Sequence, residues 1–419
     1  MSNIKIITLG CRFNSYESEV TKAMLEQVDP DSDIVVINTC AVTHEAERQS
    51  RQAVRKAIRE NSDAKIIVTG CAAKTSYDYF SSLDGIDKVV QNDKKGELSA
   101  YISGQHSESP STDVDHSAIF QGKIRAFLQI QNGCDNWCTY CIVPATRGPT
   151  KSLPIKDILH RVETLLMAGC KEIVLSGIDI TSYGKDLDGP VLADVIETTL
   201  RIFPEMRRLR ISSLDPHGVD ARLRDLFIGE DRIMPHFHFS IQSGDDVVLK
   251  AMKRRHVRDD VIDLCRYLLD RRPCIVLGCD LITGFPTETD AMFQHTLDLV
   301  DESGLTLLHV FPYSPRSGTV AARMIQNQRV TILERAKELR TKAHEVQQKL
   351  FKSMVGTTVR GIIEECSDES AYGKTDSFIP LRLVNTNTSH VMPGSIVNTL
   401  ITGVTENGLI GYIPSLSQL

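Results

Sequence analysis

Short apolar runs alternate with amphipathic stretches along the first part of the chain. Three of the runs have the composition of buried strands, and two of the stretches have the period of a helix. The strands are expected at Lys5 to Leu9, Asp33 to Asn38 and Lys65 to Thr69, and the helices at Ser15 to Gln27 and His44 to Glu60. This alternation predicts an α/β fold that begins with a doubly wound parallel sheet over residues 1–104. The polar, turn-rich segment 105–118 lacks any period and predicts a linker.

The alternation of strands and helices resumes after the linker. Six further runs are strand candidates, at Ala126 to Ile130, Glu172 to Leu175, Leu209 to Ser212, His236 to Ile241, Cys274 to Ile282 and Thr306 to Phe311. Repeated strand and helix units close or nearly close into a barrel, whose functional loops follow the C-terminal ends of the strands. We therefore expect a partial (β/α) barrel over residues 119–320.

Past this barrel the pattern changes to one long helix and then to short strands. Apolar residues recur at intervals of three and four, which predicts a helix from Arg323 to Lys352 within a connecting segment 321–355. Four short apolar runs follow, at Thr357 to Ile363, Ser377 to Leu383, Ile396 to Ile401 and Leu409 to Ile413. Short strands at regular spacing favour a small β-barrel over residues 356–419.

Composition and charge exclude several classes of protein. With 419 residues, 41% of them apolar, the chain can bury a large core, which excludes a disordered, fibrous or small disulfide-stapled protein. No apolar run approaches the roughly 18 to 20 residues that cross a bilayer, and the first residues enter a strand, so a cytoplasmic protein without a membrane partner is expected. Residues 316–360 carry 10 Lys and Arg against 3 Asp and Glu. This basic stretch is either a phosphate-contacting surface or a solvated helix face.

Cysteine spacing gives the clearest chemical signal. Eleven cysteines without a secretory signal fit a reducing compartment, where clustered thiols bind metal more often than they form disulfides. Cys134, Cys138 and Cys141 form a C-x3-C-x2-C loop directly after the first barrel strand. Three thiolates in one short loop suit a 4Fe-4S cluster that keeps one iron free for a substrate. A zinc site, which needs a fourth ligand, and buried core cysteines are the alternatives.

Three further cysteines occupy equivalent positions in the N-terminal sheet. Cys11, Cys40 and Cys71 each follow one of the first three predicted strands. Because the C-terminal ends of parallel strands share one edge, these loops converge where such sheets bind ligands. A lone cysteine after a strand is usually just a small buried residue. Three at one edge favour a second cluster with three protein ligands.

The residues around these cysteines carry a family resemblance. The C-x3-C-x2-C loop, followed by Ile142-Val143-Pro144 and Arg147-Gly148, resembles that of the radical S-adenosylmethionine (SAM) enzymes, and among them of the methylthiotransferases. The other motifs of that family appear in order, as Leu9-Gly10-Cys11 with Asn14 and Glu17, Asn38-Thr39-Cys40, Gly70-Cys71, Ser176-Gly177-Ile178-Asp179, Arg210-Ile211-Ser212-Ser213, Gln242-Ser243-Gly244 and Gly284-Phe285-Pro286-Thr287-Glu288. The C-terminal barrel resembles the TRAM domain of this family, an RNA-binding module. The runs Ser176 to Gly184 and His309 to Arg316 are most similar to the branch that modifies threonylcarbamoyladenosine.

The resemblance implies that the enzyme inserts a methylthio group at C2 of N6-threonylcarbamoyladenosine at position 37 of tRNA. It implies one 4Fe-4S cluster on each cysteine trio and two SAM molecules, one for radical generation and one as methyl donor. A radical is needed because the C2 hydrogen is neither acidic nor open to an ordinary nucleophile. The implied partners are the tRNA anticodon loop and an electron donor such as flavodoxin or ferredoxin. Isopentenyladenosine tRNA or a ribosomal-protein aspartate are alternative substrates. An iron-sulfur electron carrier and a zinc-stabilised RNA-binding protein are alternatives of another class.

The resemblance also indicates which residues contact the cofactor and the RNA. The family places SAM against Tyr140 and against groups at strand ends, here Ser176, Gly177, Ser212, Gln242, Gly284 and Val310. For each of these, a turn glycine or a capped strand end is the alternative. The cations of the long helix are expected to contact phosphates, with candidates Arg329, Arg335, Arg340, Lys342 and Lys349. Residues 361–419 themselves carry 2 Lys and Arg against 6 Asp and Glu, which is unusual for a module that binds phosphate.

Overall fold

The N-terminal residues form a parallel sheet. In the computed structural model, which describes residues 4–29, 32–95, 98, 101, 120, 123–367, 370–384 and 391–414, four strands lie side by side in chain order. They are β1 (Ile4–Thr8), β2 (Ile34–Thr39), β3 (Lys65–Gly70) and β4 (Lys88–Val89). Each neighbouring pair is parallel, which confirms the predicted sheet. The predicted linker 105–118 lies outside the described residues.

Helices cover both faces of this sheet. Those described in this part of the chain are α1 (Arg12–Val28), α2 (His44–Glu60), α3 (Cys71–Thr75) and α4 (Tyr77–Ser81). Leu25 of α1 belongs to one apolar cluster with Ile34 and Val36 of β2, whereas Val54 of α2 belongs to another with Val35. Successive side chains of a strand point to opposite faces. The strand β2 is therefore buried on both sides, and the position of its C-terminal end is fixed.

Six parallel strands form a partial barrel in the central region. The first, β5 (Arg125–Gln129), leads into a short antiparallel pair, β6 (Gln131–Asn132) and β7 (Lys151–Ser152). The others are β8 (Glu172–Ser176), β9 (Leu209–Ile211), β10 (His236–Gln242), β11 (Val276–Thr283) and β12 (Leu307–Pro312). Parallel bridges from Leu209 to Ile233 and from Leu214 to Phe239 join the sheet β5-β8-β9 to the sheet β10-β11-β12. A strand is present at each of the six predicted positions.

Amphipathic helices enclose these strands. They are α5 (Val143–Arg147), α6 (Ile155–Met167), α7 (Leu192–Ile202), α8 (Ala221–Gly229), α9 (Asp246–Ala251), α10 (Arg258–Arg271) and α11 (Asp290–Glu302). Val162, Ile196 and Leu264 of three helices share one core with Leu175 and Leu277 of the strands. Each such side chain contributes about 1.5 to 3 kcal/mol on burial. This core is the rigid scaffold from which the loops at the C-terminal strand ends project.

A long helix, α12 (Arg329–Ser353), packs against β12 and β11. It begins later than predicted, because Ala321–Arg323 forms a separate 3-10 turn. Ile332, Ala336 and Leu339 on one face of the helix are buried. None of the helices in the described part of the chain has both the length and the apolar character needed to cross a membrane.

The C-terminal residues form a closed five-stranded barrel in the order β13-β14-β15-β17-β16. Its strands are β13 (Thr358–Cys366), β14 (Ser370–Thr375), β15 (Pro380–Val384), β16 (Ile396–Val404) and β17 (Leu409–Tyr412). The sequence did not predict β14, because that strand has few apolar residues. The turn after β14 docks on the N-terminal ends of the central strands, where the backbone oxygen of Asp376 accepts from Arg210 (3.0 Å) and Phe378 stacks on His236 (5.4 Å between ring centroids). The described part of the C-terminal barrel therefore docks at the end of the partial barrel opposite the C-terminal strand ends.

Candidate active site

The C-x3-C-x2-C loop lies between β6 and α5, at the C-terminal mouth of the partial barrel. Several backbone hydrogen bonds hold it in place. The N–H of Thr139 donates to the carbonyl of Met252 (3.1 Å), and the carbonyl of Thr139 accepts from the N–H of Ala321 (2.8 Å). The N–H of Cys141 donates to the carbonyl of Cys138 (2.9 Å), which makes the turn between these two cysteines tight.

A cavity of about 330 Å³ lies at this mouth. Cys134, Cys138 and Cys141 line one part of it, and Val42 and Thr43, which follow Cys40 in the N-terminal unit, line another. The C-terminal halves of three strands supply Ser240, Gln242, Asp280, Ile282, Phe311 and Pro312. The cavity is thus bordered by both the cysteine loop of the barrel and the edge of the N-terminal sheet.

The loops that carry Cys11, Cys40 and Cys71 meet at the C-terminal edge of β1, β2 and β3. Gly10 has a φ of +100°, and a β-carbon at this position would lie 2.7 Å from the sulfur of Cys40. Only glycine lets the two loops approach so closely. The side-chain nitrogen of Asn92 lies 3.5 Å from the sulfur of Cys71. Cys40 and Cys71 are buried, whereas Cys11 is exposed.

Burial changes the acidity of several of these thiols. It raises the pKa of Cys40 and of Cys134 to about 11 and that of Cys141 to about 12, and the neighbouring thiols of each trio add to the effect. Thiols of this kind are protonated at neutral pH and are poor free nucleophiles. A bound metal centre removes the proton itself, so the same residues can still act as metal ligands.

A buried ion pair connects the surroundings of the two trios. Arg147, the last residue of α5, donates to Glu17 (Nη1 to Oε1, 2.8 Å) and to Asn14 (Nη2 to Oδ1, 2.7 Å). Lys95 contacts the same carboxylate at 2.5 Å. Burial alone would raise the pKa of Glu17, but the charges of Lys95 and Arg147 outweigh it and lower this pKa to about 2. The carboxylate stays ionised and fixes α1 against the segment after the cysteine loop.

A second charged group lies beside Cys138. Arg254 places Nη1 3.6 Å from the Cys138 sulfur, while its Nη2 donates to Asp215 (3.0 Å) and to the carbonyl of Ser240 (2.6 Å). Arg254 lies in the cationic run Lys250 to His256. Asp215 was not among the residues predicted from the sequence, and its place just after β9 is the signal that could have indicated it.

Two of the seven predicted SAM-binding residues line the cavity, Tyr140 and Gln242. Gln242 has a φ of +78°, a conformation that is uncommon outside glycine, and it lies at an irregularity in the pairing of β10 with β11. The other five do not line the cavity, namely Ser176, Gly177, Ser212, Gly284 and Val310. Ile178 and Ser213, which follow two of these five, are lining residues that the sequence analysis did not select.

Packing explains why one of these five residues is a glycine. Gly284 has a φ of +73°, and a β-carbon there would lie 2.5 Å from a side-chain carbon of Ile332. The glycine therefore allows α12 to pack closely on the end of β11. For all seven residues, a contact with SAM stays a prediction.

The predicted RNA-contacting cations of α12 have different surroundings. Four of the five are exposed or half-buried, namely Arg329, Arg340, Lys342 and Lys349. Arg335 is buried, with its terminal nitrogens 2.8 Å from Glu288 and 2.6 Å from Asp290. Because both of these nitrogens bind carboxylates of the same chain, they are not available to a phosphate. The structure therefore does not support the predicted contact of Arg335 with RNA; this residue attaches α12 to the segment after β11.

Comparisons with known proteins agree with this geometry. The family model described as Radical SAM superfamily matches residues 128–300, and that described as Uncharacterized protein family UPF0004 matches residues 3–91. The Threonylcarbamoyladenosine tRNA methylthiotransferase MtaB of Rickettsia prowazekii is 44% identical, over 96% of this chain and 95% of that protein. The tRNA-2-methylthio-N(6)-dimethylallyladenosine synthase of Alkaliphilus oremlandii is 31% identical, over 94% of this chain and 89% of that protein.

Among solved structures, the radical S-adenosylmethionine methyltransferase TsrM from Kitasatospora setae is similar, with a TM-score of 0.55. It is 16% identical, and the match covers 75% of each chain, so this likeness concerns the fold alone. The sequence match to the tRNA methylthiotransferases extends over nearly the whole chain, and the cysteine loop lies at the barrel mouth. The chain therefore belongs to the radical SAM tRNA methylthiotransferase family.

Proposed function

We propose that this enzyme transfers a methylthio group to C2 of N6-threonylcarbamoyladenosine at position 37 of tRNA, using two 4Fe-4S clusters and two SAM molecules. The observation that carries the proposal is a cavity bordered by Cys134, Cys138 and Cys141 on one side and, on another, by Val42 and Thr43, which follow Cys40; Cys11, Cys40 and Cys71 themselves are not among its lining residues. A radical source and a sulfur source have to act on the same base. A cluster on Cys134, Cys138 and Cys141 at the cavity and a second cluster on the N-terminal trio beside it would meet this requirement.

The donor set fits two iron-sulfur clusters. All six cysteines are free thiols. Among the described residues, neither trio has its three sulfur atoms within 4.8 Å of one another, as three ligands of a single ion would be. A zinc ion with bonds of about 2.3 Å needs its ligand sulfurs that close together, whereas a cluster of four irons spans a wider set. This spacing supports clusters over a zinc-stabilised fold.

When bound, the clusters and SAM supply the radical, the sulfur and the methyl group, which protein side chains cannot provide. In this proposal Cys134, Cys138 and Cys141 hold the cluster that binds SAM, and the N-terminal trio holds the other. Arg254, 3.6 Å from the Cys138 sulfur, offsets part of the negative charge of coordinated thiolates. Apolar residues such as Ile282 and Phe311 form part of the cavity wall beside these cysteines.

Support for threonylcarbamoyladenosine as the substrate comes from similarity. The relative named for that nucleoside is 44% identical, against 31% for the relative named for dimethylallyladenosine. The run His309 to Arg316, which resembles the first branch, contributes Phe311, Tyr313 and Ser314 to the cavity wall. A substituent on the adenine would be in contact with this wall.

We further propose a division of roles along the chain. Residues 1–104 carry the second cluster, residues 119–320 carry the SAM-binding cluster, and residues 321–355 and 356–419 bind tRNA. The exposed or half-buried cations of α12 contact phosphates, and the anticodon-loop base is splayed out into the cavity, as single-stranded RNA is usually read. An electron donor such as flavodoxin or ferredoxin reduces the cluster, in the cytoplasm.

Mass spectrometry of tRNA nucleosides from cells with and without the gene tests this function. We expect the methylthio form of threonylcarbamoyladenosine to disappear when the gene is deleted and to return when it is supplied in trans. If the methylthio mark is lost from isopentenyladenosine instead, the substrate of the enzyme is isopentenyladenosine tRNA. Persistence of both marks would contradict the proposed reaction.

A further inference from the structure

Three side chains inside the partial barrel, separate from the cysteine loops, bring their ligand atoms together. They are His238 of β10, Asp280 of β11 and His309 of β12. His238 Nε2 lies 2.8 Å from Asp280 Oδ1, and His309 Nδ1 lies 3.2 Å from the same oxygen. All three ligand atoms are within 4.8 Å of one another, and the two imidazole centroids are 4.6 Å apart.

The strand register fixes this arrangement. Asp280 pairs with His309 across β11 and β12, and His238 pairs with Gly278, two residues before Asp280 on the same face of β11. The three side chains therefore project from one face of three adjacent strands. Gly278 leaves room for the ring, since a β-carbon there would lie 2.8 Å from His238 Nδ1. A site built on strands holds its ligands more rigidly than one built on loops.

The charge of Asp280 favours a cation at this place. Its side chain is 23% exposed, and in the described part of the chain its ion-pair partners are His238 and His309, with no Lys or Arg among them. Two neutral imidazoles could donate hydrogen bonds to this largely buried carboxylate, but its net charge would stay uncompensated, which is costly. The positive charge comes either from a proton on an imidazole or from a bound ion. Two imidazoles and one carboxylate are a ligand set typical of divalent first-row transition ions.

We propose that His238, Asp280 and His309 bind a divalent transition-metal ion such as Zn²⁺, at a site separate from both cysteine trios. The side chain of His309 is 64% exposed, which gives the ion a path from solvent. Asp280 also lines the cavity, so an ion held by these residues would lie next to the proposed reaction site. Nitrogen and oxygen ligands of this kind bind zinc, so the site does not depend on the iron-sulfur clusters.

Metal analysis of the full-length protein tests the site without using activity. Protein with reconstituted clusters is treated with EDTA, desalted, dialysed anaerobically against micromolar ZnCl₂ and analysed for zinc and iron. We expect about one zinc ion per wild-type chain, and a loss of zinc affinity of at least about tenfold in His309→Ala and in Asp280→Asn, with iron unchanged. His344→Ala, which removes an exposed imidazole of α12, should bind zinc like the wild type.

Three results would overturn the proposal. The first is that the wild-type chain binds no zinc. The second is that zinc enters only as iron is lost. The third is that His309→Ala binds zinc with the same affinity as the wild type. Because His309 is exposed, its replacement should leave the fold intact, and a melting curve of each variant verifies this. If Asp280→Asn unfolds, the comparison of zinc affinity in His309→Ala and His344→Ala still shows whether His309 is a zinc ligand.

Discussion

The guanidinium of Arg147 lies 2.8 Å from the carboxylate of Glu17, a residue 130 positions earlier in the chain. Arg147 ends the short helix that follows the C-x3-C-x2-C loop, and Glu17 lies in the helix that begins just after Cys11. The two side chains are only 2% and 9% exposed. This pair therefore fixes the loop of Cys134, Cys138 and Cys141 relative to α1, the helix that begins just after Cys11.

Replacing Arg147 by leucine should destabilise the protein strongly. The change leaves the buried carboxylate of Glu17 with Lys95 as its remaining cation, and breaking a buried pair costs about 3 to 5 kcal/mol. The readout is the shift of the first urea unfolding transition. The matched control is Arg222→Leu, which removes the two ion pairs that a 44% exposed arginine makes with Asp194 and Glu197 and should shift the transition far less. Equal shifts in the two variants would show that the buried pair has no special role.

The same ion pair predicts that the folding stability of the protein depends on pH. The pKa of Glu17 is lowered from 4.5 to about 2, because Lys95 and Arg147 outweigh the effect of burial. A lowered pKa means that this stabilisation is complete above pH 4.5 and is lost as the pH falls from there towards 2. The stability difference between the wild type and Glu17→Gln should shrink by about 3 kcal/mol over this range. Melting curves at a series of pH values measure it, and a constant difference would contradict the assignment.

A methyl group at Gly10 should disturb the second cluster alone. In Gly10→Ala the new β-carbon would lie 2.7 Å from the Cys40 sulfur, and the φ of +100° is strained for alanine. We expect about half of the iron to be lost after reconstitution. Gly356→Ala is the control, since Gly356 also has a positive φ (+84°) but no heavy atom within 4 Å of an added β-carbon. Full iron content in Gly10→Ala would mean that the close contact with Cys40 is not needed for the cluster.

Charge reversal on α12 should weaken tRNA binding in a salt-dependent way. Arg340 and Lys349 are exposed, and each phosphate contact contributes about one unit to the slope of log affinity against log salt. The double variant Arg340→Glu with Lys349→Glu should therefore lower the magnitude of that slope by about two. Lys5→Glu, at an exposed position of β1, is the control. A slope equal to that of the wild type in the α12 variant would locate the RNA surface elsewhere.

The sequence predicted the elements of the fold better than the contacts between them. The alternation of apolar runs with amphipathic stretches indicated all six strands of the partial barrel, because composition and period are local properties of a segment. It missed β14, whose residues Ser370–Thr375 include few apolar side chains and are held by the closed barrel. Tertiary pairing thus decided the structure of a segment whose own composition is neutral.

Contacts between segments that are distant in the chain were harder to predict from the sequence. The cysteine spacing indicated which thiols belong together, but the pairing of Arg147 with Glu17 depends on how two units pack. Arg335 has the same residue type and helical position as its exposed neighbours, yet its side chain is buried against Glu288. Charge along a helix therefore does not by itself separate a phosphate contact from an internal ion pair.

Iron analysis of the anaerobically reconstituted protein tests the central claim of two four-iron clusters, one on each cysteine trio, most directly. The wild-type chain should hold about eight irons, and Cys40→Ala and Cys138→Ala should each hold about four, because each variant loses one four-iron cluster. About four irons in the wild type, or an iron content that Cys40→Ala leaves unchanged, would contradict the account.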